Sequence, residues 1–287
     1  MSPTEPLRVS GVRELQHWAD MERAARRRIA LVPTMGALHE GHLALVHAAR
    51  AWGDRVVVSI FVNPSQFGPN EDFERYPRDL ERDCALLGEA GVDVVFAPAV
   101  GEIYPPGDAT SVELERLPRG LCGASRPGHF RGVTTVVARL LLAAKPHVAI
   151  FGMKDYQQLA VIRRMERDLH FGVEIVGVST VREPDGIALS SRNAYLSAVE
   201  RGQARALYAG LCEARARFES GERRADVLVE TVRLRVSKEP LAQIDYIELC
   251  STDELEPVES VEGQALLALA VRFGATRLID NLILEDG

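Results

Sequence analysis

Short runs of β-branched and apolar residues alternate with stretches of helical spacing through the first two-thirds of the chain. Residues 28–33 (Arg-Ile-Ala-Leu-Val-Pro), 55–62, 92–96, 147–151 and 174–180 are near-continuous apolar runs of strand length, as in strands buried on both faces. Residues 10–28, 42–52, 79–90, 134–144 and 156–169 instead place apolar side chains three and four apart. Ser10 is the expected cap of the first helix, Pro33 the expected end of the first strand, and Gly91 and Lys145-Pro146 are stop signals. Strands that alternate with helices predict a doubly wound, Rossmann-like parallel α/β sheet, whose ligands bind beyond the carboxyl ends of the strands.

After Asn193 the texture changes. Residues 198–220 and 223–237 read as helices, and 244–249 and 264–271 alternate like half-exposed strands. A Rossmann-like domain over 1–185 and a smaller α+β domain over 186–287 are expected. The 287 residues are 46% hydrophobic, enough to bury a core. With 34 Lys+Arg against 41 Asp+Glu, the net charge of −7 argues against a broad nucleic-acid face but leaves room for a local basic pocket. Apolar runs are all broken short of the ~18 residues that a membrane helix needs. The N-terminal residues lack the apolar core of a secretory signal. Cys84, Cys122, Cys212 and Cys250 are widely spaced, as expected of reduced thiols in a cytoplasmic protein.

Polar constellations follow the predicted strands. In His39-Glu40-Gly41-His42 the histidines are three apart across a glycine, which is not the i,i+4 pair of a helical zinc site. They either cap the helix or donate to phosphate oxygens, with Gly36 and Gly41 letting backbone N–H groups approach an anion. Asn63 and Gln66 are either turn residues or neutral partners for a small polar ligand. The charged run from Asn70, Glu71 and Asp72 to Asp79 and Asp83 reads as a solvated face, with one of its carboxylates able to meet Mg²⁺. Arg126 and Arg131 stand among glycines before a helix, as a surface loop or as a clamp on carboxylate or phosphate. Gly152-Met153-Lys154-Asp155 is either a helix cap with a surface lysine, or it offers close backbone approach, a cation for phosphate and a carboxylate for ribose hydroxyls or for orienting the lysine. Ser190, Ser191 and Arg192 form a loop suited to closing over a triphosphate, or a helix cap, as Ser197 also does. From the residues alone, the chain reads as an α/β enzyme that binds a phosphorylated nucleotide.

The His-x-Gly-His pattern after a first strand resembles the nucleotidyltransferase superfamily. The wider segments at 33–42, 63–67 (Asn-Pro-Ser-Gln-Phe), 126–133, 151–158 and 181–193 resemble, in this order, the pantothenate synthetase (pantoate–β-alanine ligase) family. The likeness covers about residues 28–195. It implies that ATP is held by Met35, Gly36, Ala37, Leu38, His39, Glu40, Gly41 and His42, by Gly152, Met153, Lys154 and Asp155, and by Val181, Leu189, Ser190, Ser191 and Arg192. Gln66 would bind both pantoate and β-alanine, Gln158 would bind pantoate, and Asn63 and Arg126 would lie on the small-substrate side. Asp83 would hold Mg²⁺. His39, His42, Lys154, Ser190, Ser191 and Arg192 would stabilise charge on the phosphates, with His42 as proton donor. Two departures stand out: Met153 replaces a residue that is often polar, and Ser-Ser-Arg replaces the superfamily's lysines. The implied reaction joins pantoate to β-alanine through a pantoyl adenylate, releasing pyrophosphate and AMP, in a homodimer. Two other readings are a nucleotidyltransferase that stops at a nucleotidyl product and a non-catalytic nucleotide-binding module.

Overall fold

A computed structural model of the chain describes residues 5–68 and 73–286. In chain order the elements are β1 (Leu7–Val9), α1 (Val12–Ala24), β2 (Ile29–Thr34), α2 (Glu40–Trp52), β3 (Arg55–Ile60), α3 (Leu80–Glu89), β4 (Val94–Phe96), α4 (Val100–Ile103), α5 (Leu121–Ser125), α6 (His129–Ala144), β5 (Val148–Gly152), α7 (Tyr156–Leu169) and β6 (Glu174–Val178). There follow α8 (Ala198–Ala204), α9 (Ala206–Glu219), α10 (Ala225–Val236), β7 (Ala242–Cys250), β8 (Gln264–Phe273) and β9 (Thr276–Glu285). Two compact units form: Met1–Leu114 with Arg126–Met153 and Val161–Ser179, and Glu115–Ser125 with Lys154–Ala160 and Thr180–Gly287. The second unit thus draws two short stretches from the earlier part of the chain.

The first unit is built on a six-stranded sheet in the order β1-β4-β3-β2-β5-β6, and each neighbouring pair is parallel. From β2 the chain steps outward through β3 and β4, then returns to the other side of β2 for β5 and β6. The direction of winding therefore changes at β2 and β5, where such sheets open a ligand crevice. One face of the sheet, carrying Ala30, Val32, Val56, Val58, Val148 and Ile150, packs with Val46 and Ala49 of α2 and Leu87 of α3. Each such fully buried Val or Leu contributes roughly 1.5–3 kcal/mol.

Several local expectations need correction. Gly11, not Ser10, precedes α1, and it offers no side-chain cap. Glu102 Oε1 accepts the Val12 N–H instead, at 2.6 Å. Pro33 does not end its strand: it lies within β2, opposite Ser59. Thr34 O accepts from Phe61 N, so the alternating backbone turns the Pro33 nitrogen toward β5, where pairing has already stopped at Leu31 and Ala149. No ladder bond is lost there. Helix α6 begins at His129 rather than 134, directly after Gly128 at φ +80°. The single helix expected over 198–220 is two helices that meet at Arg205.

The second unit carries the antiparallel sheet β7-β8-β9. Leu267, Leu269 and Val271 pack with Leu211, Phe218, Leu228 and Val232 of α9 and α10. β8 is buried from Ala265 to Val271 rather than half-exposed, because it is the central strand. β1 and β9 were not foreseen from the sequence.

At the amino end of β2, the Ile29 N–H donates to His147 Nδ1 at 3.0 Å. Burial, with the nearby Arg23 and Arg28 charges, holds the His147 imidazole below its ordinary pKa, against a smaller opposing pull from Asp54. The unfolded chain therefore binds this proton first, so stability is intact above about pH 6.5 and is lost as pH falls below it. Urea unfolding at pH 7.5 and 5.5 should show His147→Gln losing less stability on acidification than the parent. An equal loss of stability on acidification in the two proteins would contradict this linkage.

Candidate active site

Residues 34–41 leave the carboxyl end of β2, 61–66 leave β3, and 152–155 leave β5. These motifs therefore follow three adjacent central strands.

After β2 the chain turns through Gly36 (φ +79°) and Ala37 (φ +51°) into α2. His39 is the N-cap and His42 the third helical residue, and together they form a reciprocal capping box. The Gly41 N–H donates to His39 Nδ1 at 3.2 Å, and the His39 N–H to His42 Nδ1 at 3.3 Å. Both Nδ1 atoms are acceptors, so in the neutral rings the proton sits on Nε2. The ring centroids are 4.0 Å apart. Of the two uses posed by the sequence, capping is the one the contacts show, and it takes the Nδ1 edge of each ring. The backbone is less available than expected: the Gly36 N–H donates to Thr34 Oγ1, and those of Ala37 and Leu38 donate to Asp83. The two imidazoles stand at the start of α2, where the positive end of the helix dipole favours an anion.

After β3, the wholly buried Asn63 is spent on the protein. Its Oδ1 accepts from Ser65 N at 3.3 Å and from Tyr104 OH at 2.8 Å, and its Nδ2 donates to Gly132 O at 3.2 Å. Those backbone partners fix which end of the amide is which. Nδ2 also donates to Gln66 Oε1 at 3.1 Å, so Gln66 turns its Nε2 donor outward, where it meets Met35 Sδ at 3.1 Å. Burial, offset in part by Ser65, Arg139 and Asn63, pushes the Tyr104 phenol up in pKa and keeps it a donor. Tyr104 lies outside every motif, and no sequence signal marks it.

Arg126 is brought to the same place. His129 Nδ1 donates to Gln66 O at 2.8 Å, so its Nε2 accepts from Arg126 Nη1 at 2.9 Å, while Arg126 Nη2 also donates to Gln66 O at 3.3 Å. Within the first unit the structure thus gathers Met35, Asn63, Gln66 and Arg126, with His129 and Tyr104 as supports. His129 stands inside a motif the sequence singled out but was not assigned a role. Arg131 lies in the first turn of α6, not in a loop.

The acidic segment behaves differently. Asn70, Glu71 and Asp72 lie outside the described residues. Asp79 caps α3 by accepting the Arg82 N–H at 3.1 Å. Asp83 is 1% exposed, with both oxygens taken by backbone N–H groups. Mg²⁺ needs carboxylate oxygens open to it at about 2.0–2.1 Å, and this geometry does not fit that need. Among the described residues no cluster of three or more His, Cys, Asp or Glu is placed to hold a metal.

In the second unit, Lys154 Nζ lies 3.7 Å from Asp155 Oδ2, and Asn281 Nδ2 donates to Lys154 O at 2.8 Å. The adjacent glutamines divide their roles. Gln157 is buried; it donates to Leu117 O and Gly120 O and accepts from Cys122 N, which fastens the 115–125 stretch. Gln158 is half-buried. In the 181–193 segment, Leu189 N donates to Val181 O at 2.9 Å, and Arg182 pairs with Asp280 through Nη1 and Nη2 while stacking 3.7 Å over Tyr208. Glu183 bonds Arg201 and Asn193, and the Arg201 guanidinium is the main cause of its lowered pKa. Ser190 caps the 3₁₀ turn Ser191–Tyr195 through the Arg192 N–H. Ser197 caps α8 with a second capping box.

A parallel α/β sheet with a His-x-Gly-His helix start at its winding reversal defines a nucleotidyltransferase-like class of protein. The family model described as pantoate-beta-alanine ligase matches residues 8–283. The chain is 54% identical to the pantothenate synthetase of Heliobacterium modesticaldum over 277 residues, covering 96% of this chain and 99% of that one. It is 57% identical to that of Syntrophotalea carbinolica over 265 residues, 92% and 94% of the two chains. The crystal structure of pantothenate synthetase from Thermus thermophilus matches with a TM-score of 0.91 at 50% identity, covering 98% of this chain and all of that one. A pantoate-beta-alanine ligase from Francisella tularensis, crystallised with beta-gamma ATP and beta-alanine, matches at 0.78 and 33% identity over 98% and 99% of the chains. The chain belongs to the pantoate–β-alanine ligase family.

Proposed function

We propose that this protein joins pantoate to β-alanine at the expense of ATP, releasing AMP and pyrophosphate through a pantoyl adenylate. The observation that supports the reading is the His39–His42 pair, whose Nδ1 atoms accept backbone N–H groups at the start of α2, where a helix N-terminus favours an anion. A pantoate carboxylate oxygen attacks the α-phosphorus of ATP, and the bond to pyrophosphate breaks. The β-alanine nitrogen then attacks the acyl carbon, AMP leaves, and the ammonium proton passes to solvent. No covalent enzyme group is needed, so catalysis rests on positioning and on stabilising phosphate charge.

His39, His42, Lys154, Ser190, Ser191 and Arg192 serve that charge stabilisation. Met35 to Glu40, Gly41, Gly152, Met153, Asp155, Val181 and Leu189 complete the nucleotide-binding set. Gln66 offers its Nε2 donor to the small substrates, with Gln158 and Arg126, while Asn63 acts by holding Gln66. Mg²⁺ would accompany ATP and screen its phosphates. Asp83, with both oxygens bonded to backbone N–H groups, does not fit as its ligand. The enzyme acts as a cytoplasmic homodimer in this reading; among the described residues no helix is long and apolar enough to cross a membrane.

The test is an assay with ATP and Mg²⁺. Pyrophosphate should require pantoate, and sustained AMP formation should require β-alanine as well. Gln66→Ala should raise the KM for pantoate and for β-alanine at least tenfold while changing that for ATP less than threefold, the loss expected of a hydrogen bond to a charged group. Pyrophosphate release without pantoate, or loss of ATP affinity alone in Gln66→Ala, contradicts the reading.

A further inference from the structure

We propose that Asp83 is a positioning residue for the histidine pair: its buried carboxylate clamps the left-handed turn that carries His39 and His42, and it does not ligate Mg²⁺. The inference rests on the reading of those histidines as phosphate-facing groups.

Asp83 sits in the first turn of α3 at 1% exposure. Its Oδ2 accepts the Ala37 N–H at 2.8 Å and its Oδ1 the Leu38 N–H at 2.9 Å. Arg82 Nη1 approaches Oδ1 at 3.4 Å and donates to Leu38 O at 3.2 Å, so the turn is gripped from both sides of the Leu38 peptide. The clamp falls where the backbone is least content. Gly36 has φ +79° and Ala37 φ +51°, and a residue with a Cβ resists that region. A Cβ at Gly36 would lie 3.0 Å from Asp83 Oδ2, so the carboxylate also selects glycine there. Hydrogen bonds to an ionised acceptor are among the stronger ones, and they are strongest out of water, which suits them to holding a strained turn. One residue beyond Leu38 the capping box begins, so a change in the turn is passed directly to both imidazoles.

The experiment compares the parent with Asp83→Asn, whose amide can accept at one position but must point a donor at the other N–H. Pantoate-dependent pyrophosphate release is titrated with Mg²⁺ at fixed ATP. We expect kcat to fall about 10- to 100-fold, as for a misplaced catalytic group, with the half-activating Mg²⁺ concentration unchanged within about twofold. Adding Ala37→Gly in the same background should recover part of the rate, because glycine adopts the turn without the clamp. If Asp83→Asn lowers the folded fraction, the same readings are taken per folded molecule on Asp83→Ser. A tenfold or greater rise in half-activating Mg²⁺, with rate restored at saturation, would identify a metal ligand and overturn the proposal; so would an unchanged kcat. His39→Ala and His42→Ala are run in parallel. Full activity in those two contradicts the reading of the histidines, whereas their collapse beside a fully active Asp83→Asn contradicts the clamp alone.

Discussion

Replacing His42 with alanine should lower pantoate-dependent pyrophosphate release by roughly 10²–10³-fold, the range for removing one preorganised donor to developing charge. The prediction follows from how the ring is held. His42 Nδ1 accepts the His39 N–H, which leaves the ring proton on Nε2, and the two rings stand 4.0 Å apart. The same substitution removes half of a capping box, so it also costs about 1 kcal/mol of stability. The two effects separate experimentally: a melting temperature lowered by a few degrees accounts for the cap, and the loss of rate at a temperature where the protein is fully folded accounts for the chemistry. His39→Ala should behave alike, and the double variant should lose far less than the product of the two, because the rings act as a unit. A His42→Ala protein that is destabilised but keeps its rate would reduce the pair to a helix cap.

Gly132→Ala should be nearly as damaging, although Gly132 has no side chain to offer a substrate. A Cβ there would lie 2.3 Å from Ser65 O, 2.6 Å from Ser65 C and 2.8 Å from Gln66 Cα. All three are backbone atoms, so no side chain can swing away, and the Ser65-Gln66 segment or α6 has to shift. Gly132 O also accepts from Asn63 Nδ2, the group that sets the Gln66 amide. A displacement of about 1 Å at a substrate-positioning residue can cost on the order of 10²-fold. We expect that loss in kcat/KM for pantoate, together with about 1–3 kcal/mol of destabilisation from overpacking. Gly202→Ala is the control: it lies in α8 with nothing within 4 Å of the added Cβ, and it should be neutral or slightly stabilising. Unchanged pantoate kinetics in Gly132→Ala would show that the contact does not govern Gln66.

Gly132 also shows why the sequence was only partly legible. A glycine after Arg131 reads as a loop residue, which moved the expected start of α6 to 134, yet it lies inside the helix because another backbone passes against it. Close approach of two chain segments leaves no local signature. The central strands were readable because burial on both faces demands continuous Val, Ile and Leu, as in β3. β1 was not, since three residues pairing only with β4 give no period. β9 was not, since Leu278-Ile279-Asp280-Asn281 breaks alternation, and Asp280 is explained only by Arg182 far along the chain. The motifs gave the residue types of the site but not their division of labour. Whether an amide faces a ligand or the protein depends on partners distant in sequence. Asn63 and Gln157 are spent inward, while Gln66 is aimed by Asn63 and Tyr104. The carboxylate of Asp83 is likewise turned to the backbone of 37 and 38.

In the proposed reaction the carboxylate of the hydroxy acid attacks the α-phosphorus directly, with the paired imidazoles steadying the phosphate charge. Pantoate labelled with ¹⁸O in its carboxylate tests it. When β-alanine displaces AMP, the bridging oxygen leaves with the phosphate, so AMP isolated after turnover should carry one ¹⁸O derived from pantoate. AMP that contains only unlabelled oxygen, formed alongside labelled amide product, would contradict the adenylate route.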